Sequence, residues 1–129
     1  EAAAFEEWRS RVLAIEGWTT IPPETMIQIA PLKEIWAEYR CLMIGGRFVT
    51  GSRYKTGNTV AYSPEVHKMI VDFAEDCAAV WNPAIAYALD IAHTPSGLKI
   101  IETNSISSAG FYACNMDAFV GAIEKFHAA

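Results

Sequence analysis

Asp90, Glu102 and Asn104 are the residues whose types and spacing point most directly at chemistry. Asp90 lies within AIAYALDIA, and Glu102 and Asn104 end LKIIETN, two otherwise apolar stretches. A buried carboxylate is costly unless it is paired, hydrogen-bonded or bound to metal. Pro95-Ser96-Gly97 separates the two stretches and reads as a hairpin turn. A three-residue turn there sets Asp90 directly opposite Glu102, with Cβ atoms roughly 5 Å apart. Asn104, two residues on, shares that face. Facing carboxylates repel, and one stays protonated unless a cation lies between them. Two carboxylates and an amide oxygen make a hard oxygen set suited to Mg2+ or Mn2+. The alternative is an Asp90 that meets a nearby Lys or Arg, with Glu102 and Asn104 capping a strand end. The register decides, because a one-residue change in turn length moves Asp90 to the other face.

A second charged constellation flanks Gly45-Gly46, a pair suited to a two-residue primed turn. With that turn, Ile44 pairs with Arg47, Glu38 with Arg53, Arg40 with Gly51 and Trp36 with Lys55. Glu38, Arg40, Arg53 and Lys55 then share one face around a small Gly51. Guanidinium and ammonium groups beside a carboxylate set are what a polyphosphate or carboxylate substrate requires. A solvated face laced with ion pairs is the plainer alternative.

The elements that must position these residues follow from periodicity. Phe5, Trp8, Val12 and Ile15 recur at helical spacing from Ala3 to Ile15, and Gly17 can stop that helix. Pro22 and Pro23 make the next stretch a connector. TMIQIA (Thr25 to Ala30) alternates like a strand, and WAEYRCLMI with RFVTGSRYK forms the first hairpin. TGNT reads as a polar loop. Ser63 and Pro64 suit the start of a helix whose stripe is Val66, Met69, Ile70, Phe73, Cys77, Val80 and Trp81. The carboxylate hairpin follows, and then a helix capped by Asn115 that buries Phe119, Val120, Ile123 and Phe126. The expectation is an α+β fold, a mainly antiparallel sheet of two hairpins packed with helices. Residues 1–24 form a helix and connector, and 25–129 the domain proper.

Composition bounds the rest. The 129 residues are 52% hydrophobic and 19% charged, which is globular. The net charge of −5 and the dispersed basic residues argue against a nucleic-acid partner. No apolar run approaches the ~20 residues of a membrane span, so no membrane role is expected. Cys41, Cys77 and Cys114 lack metal-site spacing and read as reduced packing residues of a cytoplasmic protein.

Taken in order, "EYR" (Glu38 to Arg40), "GSRYK" (Gly51 to Lys55), "LDIA" with Asp90, "IETN" with Glu102 and Asn104, and the following "SISSAGFY" resemble the C-terminal, metal-binding lobe of the ATP-grasp fold, in its phage and bacterial branch. The resemblance spans roughly Thr25 to Phe126. It implies ATP as cosubstrate and Mg2+ (or Mn2+) held by Asp90, Glu102 and Asn104. It further implies that Arg40, Arg53 and Lys55 act on phosphate and acyl-phosphate oxygens, with Glu38, Arg40 and Lys55 at the nucleotide. The reaction implied is ATP-dependent joining of a small-molecule or peptide carboxylate to an amine through an acyl phosphate. Ser105, Ser107, Ser108 and the backbone near Gly110 could meet the substrate, or form a flexible polar loop. Too little sequence precedes the connector for a first ATP-grasp lobe, so the expectation is half an active site, a fragment prone to form a homodimer. A non-catalytic interaction domain of the same fold and a metal-dependent hydrolase are the rival readings.

Overall fold

The computed structural model describes residues 2–14, 24–26 and 30–128. The chain divides into two compact units, Glu1–Lys33 and Glu34–Ala129. In the first unit, α1 (Ala2–Leu13) carries Phe5 stacked on Trp8 at 5.9 Å. Glu6–Arg9 and Glu7–Arg11 pairs support its exposed surface, as one helical turn of spacing allows. Ile15 and Gly17 lie outside the described residues. So do 27–29 of the strand expected over 25–30, and Thr25, Met26 and Ala30 belong to no strand.

The second unit is built on one sheet. Gly45 and Gly46, at φ 57° and 78°, make the tight turn between β1 (Ala37–Ile44) and β2 (Arg47–Thr56). Only positive φ at both positions matches the twist of the flanking strands, which is why two glycines serve. A second turn at Gly57 and Asn58 leads into β3 (Thr59–Ser63), a strand that the sequence periodicity does not announce. After α2 (Lys68–Val80) come β4 (Ala86–Thr94), β5 (Gly97–Ser105), a 3-10 turn over Ile106–Ser108, and α3 (Met116–Ala128). The strand order is β3-β2-β1-β4-β5, and every pairing is antiparallel. The two expected hairpins are therefore joined through β1 and β4 into one α+β sheet.

Each sheet face has its own core. Tyr39, Cys41, Met43, Tyr87, Leu89 and Ile91 point one way and bury Ile70, Ala74 and Ala78 of α2. The alternate residues Leu42, Ile44 and Ala88 meet Phe119 of α3 on the opposite face. The stripe of α2 thus differs from the expected one: Met69, Val80 and Trp81 are exposed, and alanines provide the close contact. The helix also begins later, at Lys68, because Ser63 ends β3 and spends its hydroxyl on the Glu65 amide at 3.2 Å. In α3, Asn115 caps as expected, its Oδ1 accepting from the Ala118 amide at 3.0 Å. Phe119 is buried, Ile123 packs partly, and Val120 and Phe126 stay largely exposed.

Candidate functional site: an ion-paired sheet face

On the α3 face, beyond the Phe119 core, lie the charged residues. Strands β4 and β5 place Asp90 opposite Glu102, and Asn104 opposite Ala88 on the same face. The turn that achieves this has two residues, Pro95 and Ser96, with Thr94 paired to Gly97. A bulge at Ile101 then restores the Asp90–Glu102 pairing that a three-residue turn would have given. The register matches the expectation although the route to it differs.

The first hairpin departs further. A bulge at Val49 sets Cys41 opposite Gly51, Arg40 opposite Ser52 and Tyr39 opposite Arg53. A second bulge at Tyr54 then sets Glu38 opposite Lys55. Directly opposed residues share a face, so Arg53 stands with Tyr39 on the α2 side. Lys55 returns to the side of Glu38 and Arg40. The expected Glu38–Arg53, Arg40–Gly51 and Trp36–Lys55 pairings are replaced, and Arg53 does not join the other cations.

Arg40 is the centre of the face. Its Nε donates to Asp90 Oδ1 at 2.8 Å and its Nη2 to Asp90 Oδ2 at 2.6 Å, a bidentate pair. The third donor, Nη1, reaches the Gly110 carbonyl at 2.8 Å. Arg40 is 5% exposed and Asp90 2%. Burial pushes the Asp90 carboxyl above the ordinary aspartate range, against the opposing pull of Arg40, while the hydrogen bond to Asp90 raises Arg40. Glu102, its side chain 54% exposed, lies 3.9 Å from Arg40 Nη2 and accepts from Asn104 Nδ2 at 2.8 Å. Beside them Lys55 donates to Glu38 Oε1 at 2.7 Å, both largely buried.

Three tyrosines wall this face, and nothing in the sequence periodicity marked them. Tyr112 stacks on Tyr54 at 4.8 Å and on Tyr62 at 5.1 Å, and the Arg40 guanidinium lies 4.8 Å from the Tyr112 ring centre. Burial, then Asp90 and Glu38, push the Tyr54 phenol far up, so it stays a neutral donor. Tyr112 adopts φ 50°, a conformation uncommon for a bulky side chain. Its loop is pinned from beneath: Ser52 Oγ accepts from the Ala113 amide at 3.2 Å and Thr50 Oγ1 from the Asn115 amide at 2.9 Å. Hydroxyls buried at alternate positions of β2 were the available signal for this anchoring. Ser105 bonds with Ser107 and Ser108 at 3.1 and 2.9 Å, so the expected flexible polar loop is internally tied.

As arranged, the three-residue metal set is incomplete. Both Asp90 oxygens are taken by Arg40, and among the described residues no three acidic, His or Cys groups converge on one point. Glu102 and Asn104 remain as adjacent, partly exposed oxygen donors, a set that holds Mg2+ when substrate phosphates complete the shell. Arg53 presents the opposite condition: its Nε is buried and has no hydrogen-bond partner among the described residues. The histidines lie elsewhere, His67 at the start of α2, His93 edge-on to Trp36 and His127 on α3. Burial lifts the Cys41 thiol well out of the reactive range and Cys114 to about 11, so neither is a thiolate at neutral pH.

No described helix is long and apolar enough to cross a membrane. No curated protein matches the chain. A family model for an ATP-grasp domain, the third family of its clade, matches residues 2–123, nearly the whole length. With the antiparallel sheet, its flanking helices and the charged face in agreement, the chain belongs to this ATP-grasp family, whose fold is of ATP-dependent, ligase type.

Proposed function

We propose that this domain serves an ATP-dependent carboxylate–amine ligase that works through an acyl phosphate. The observation that carries the reading is the Asp90–Glu102 pairing with Asn104 alongside, on the face that also bears Arg40 and Lys55. Glu102 and Asn104 are the residues that would hold a divalent cation, whose contribution is to neutralise charge on the phosphate oxygens. Lys55 is held by Glu38 at the rim, partly exposed, and is placed to exchange its carboxylate for a phosphate. Arg53 keeps a buried, unpartnered Nε that an anionic group would satisfy, although from the other face. The walled loop over Gly110–Asn115 is the surface for the acceptor, a small-molecule or peptide carboxylate.

One observation favours the second reading, a non-catalytic interaction domain: Arg40 and Lys55 are both already paired with carboxylates. The metal-dependent hydrolase draws no support, because no described histidine stands beside the carboxylates to act as base. Trapping with hydroxylamine separates the two remaining readings. The protein, given MgATP and a panel of carboxylates, is expected to yield a hydroxamate together with ADP. ATP bound but never cleaved, over the whole panel, would establish the interaction domain.

A further inference from the structure

The family resemblance assigns Asp90 to a metal, whereas the structure commits it to Arg40. We infer that Asp90 is a positioning residue: acting through Arg40, it fixes the Gly110–Asn115 loop, and it does not ligate the cation. The connection is continuous. Asp90 takes both parallel donors of the guanidinium, which turns the third donor, Nη1, onto the Gly110 carbonyl. The same guanidinium lies against the Tyr112 ring at 4.8 Å, and Tyr112 holds its strained φ of 50° two residues beyond Gly110. A guanidinium is planar and its donors are fixed relative to one another, so the carboxylate orientation dictates where Nη1 points. Ser52 and Thr50 then hold the far side of the loop through the Ala113 and Asn115 amides.

The alternative, Asp90 released to a metal, has a specific cost in this geometry. Arg40 would keep its charge at 5% exposure and lose its bidentate partner, leaving only Glu102, 3.9 Å away and half in solvent. Glu102 and Asn104, by contrast, are reachable without breaking a buried ion pair. That the loop meets the acceptor substrate rests on the function proposed above; the assignment of Asp90 to the loop does not.

The test reads two properties in the same set of variants, neither of them activity. Amide exchange across Gly110–Cys114 reports the loop, and Mn2+ affinity in the presence of a non-hydrolysable ATP analogue reports the cation. Asp90→Asn is expected to speed loop exchange by about tenfold or more, the equivalent of ~1.4 kcal/mol, while Mn2+ affinity stays within about threefold of the native value. Glu102→Gln is expected to do the reverse: Mn2+ affinity falls by about 10- to 100-fold and loop exchange is unchanged. If Asp90→Asn proves too unstable to study, Arg40→Lys provides the same reading. It keeps the charge but cannot bridge two oxygens and a carbonyl, so it should loosen the loop and spare Mn2+ binding. Asp90→Asn that abolishes Mn2+ binding and leaves loop exchange native would overturn the inference. If the native protein binds no Mn2+, the proposed function loses its cation, and loop exchange alone decides the role of Asp90.

Discussion

Arg40 and Arg53 stand on adjacent strands of one hairpin, within two short motifs of similar composition, and have opposite fates. Arg40 is buried with a bidentate aspartate, a carbonyl and an aromatic ring against it. Arg53, turned to the other face, keeps a buried Nε with no partner among the described residues. A single bulge at Val49 decides which is which, since it moves Arg53 from the face of Glu38 to that of Tyr39. Charge at a strand position therefore says little about what the charge does until the register is known. A fully satisfied guanidinium is a structural tie; one with an unmet donor is placed to take a ligand.

Three substitutions can break or sharpen that contrast. Arg40→Met should have the largest effect, because it strands Asp90 at 2% exposure without a counter-ion. We expect a loss of about 3–5 kcal/mol in urea unfolding. A loss near zero would mean that Asp90 simply takes up a proton and that the tie is dispensable. Gly51→Ala should come next. A Cβ there would lie 2.7 Å from the Arg40 carbonyl oxygen and 3.0 Å from Val66 Cγ2, so backbone must shift. The expected cost is about 1–3 kcal/mol, together with altered amide chemical shifts around Arg40. Unchanged shifts would show that the strand spacing has slack. Arg53→Met should do least to stability, within about 1 kcal/mol, since replacing an unsatisfied donor by an apolar group is nearly neutral. Its effect should instead appear in the affinity for nucleotide or acceptor, and a stability loss equal to that of Arg40→Met would erase the distinction between the two arginines.

Much of the architecture was legible because it rests on short-range chemistry. The Gly45-Gly46 turn, the Asn115 cap and the pairing of Asp90 with Glu102 all follow from neighbouring residues. The last was reached by two offsetting departures, a shorter turn and the Ile101 bulge. What escaped prediction depends on tertiary packing. Bulges at Val49 and Tyr54 add a residue to β2 where no glycine or proline marks the place. The apolar pattern of α2 pointed to large residues, whereas the sheet accepts Ala74 and Ala78 because small side chains let the helix approach closely. The tyrosine wall assembles β2, β3 and the loop after β5. No local pattern could have brought those rings together.

The contact between Gly45 and Phe126 has a consequence in time. The Phe126 ring lies only 2.8 Å from where a Gly45 Cβ would be, so the first turn of the sheet is shaped to fit the last turns of α3. The ribosome makes β1 and β2 well before α3, and Phe119, which completes the core on the site face, belongs to that late element. Until α3 emerges, the nascent sheet carries Leu42, Ile44 and Ala88 uncovered beside the charged face. Its central pairing, β1 with β4, must also wait for distant sequence. The growing chain thus passes through a stage with a half-built sheet and a bare apolar strip, the stage at which a chaperone would find the most to hold.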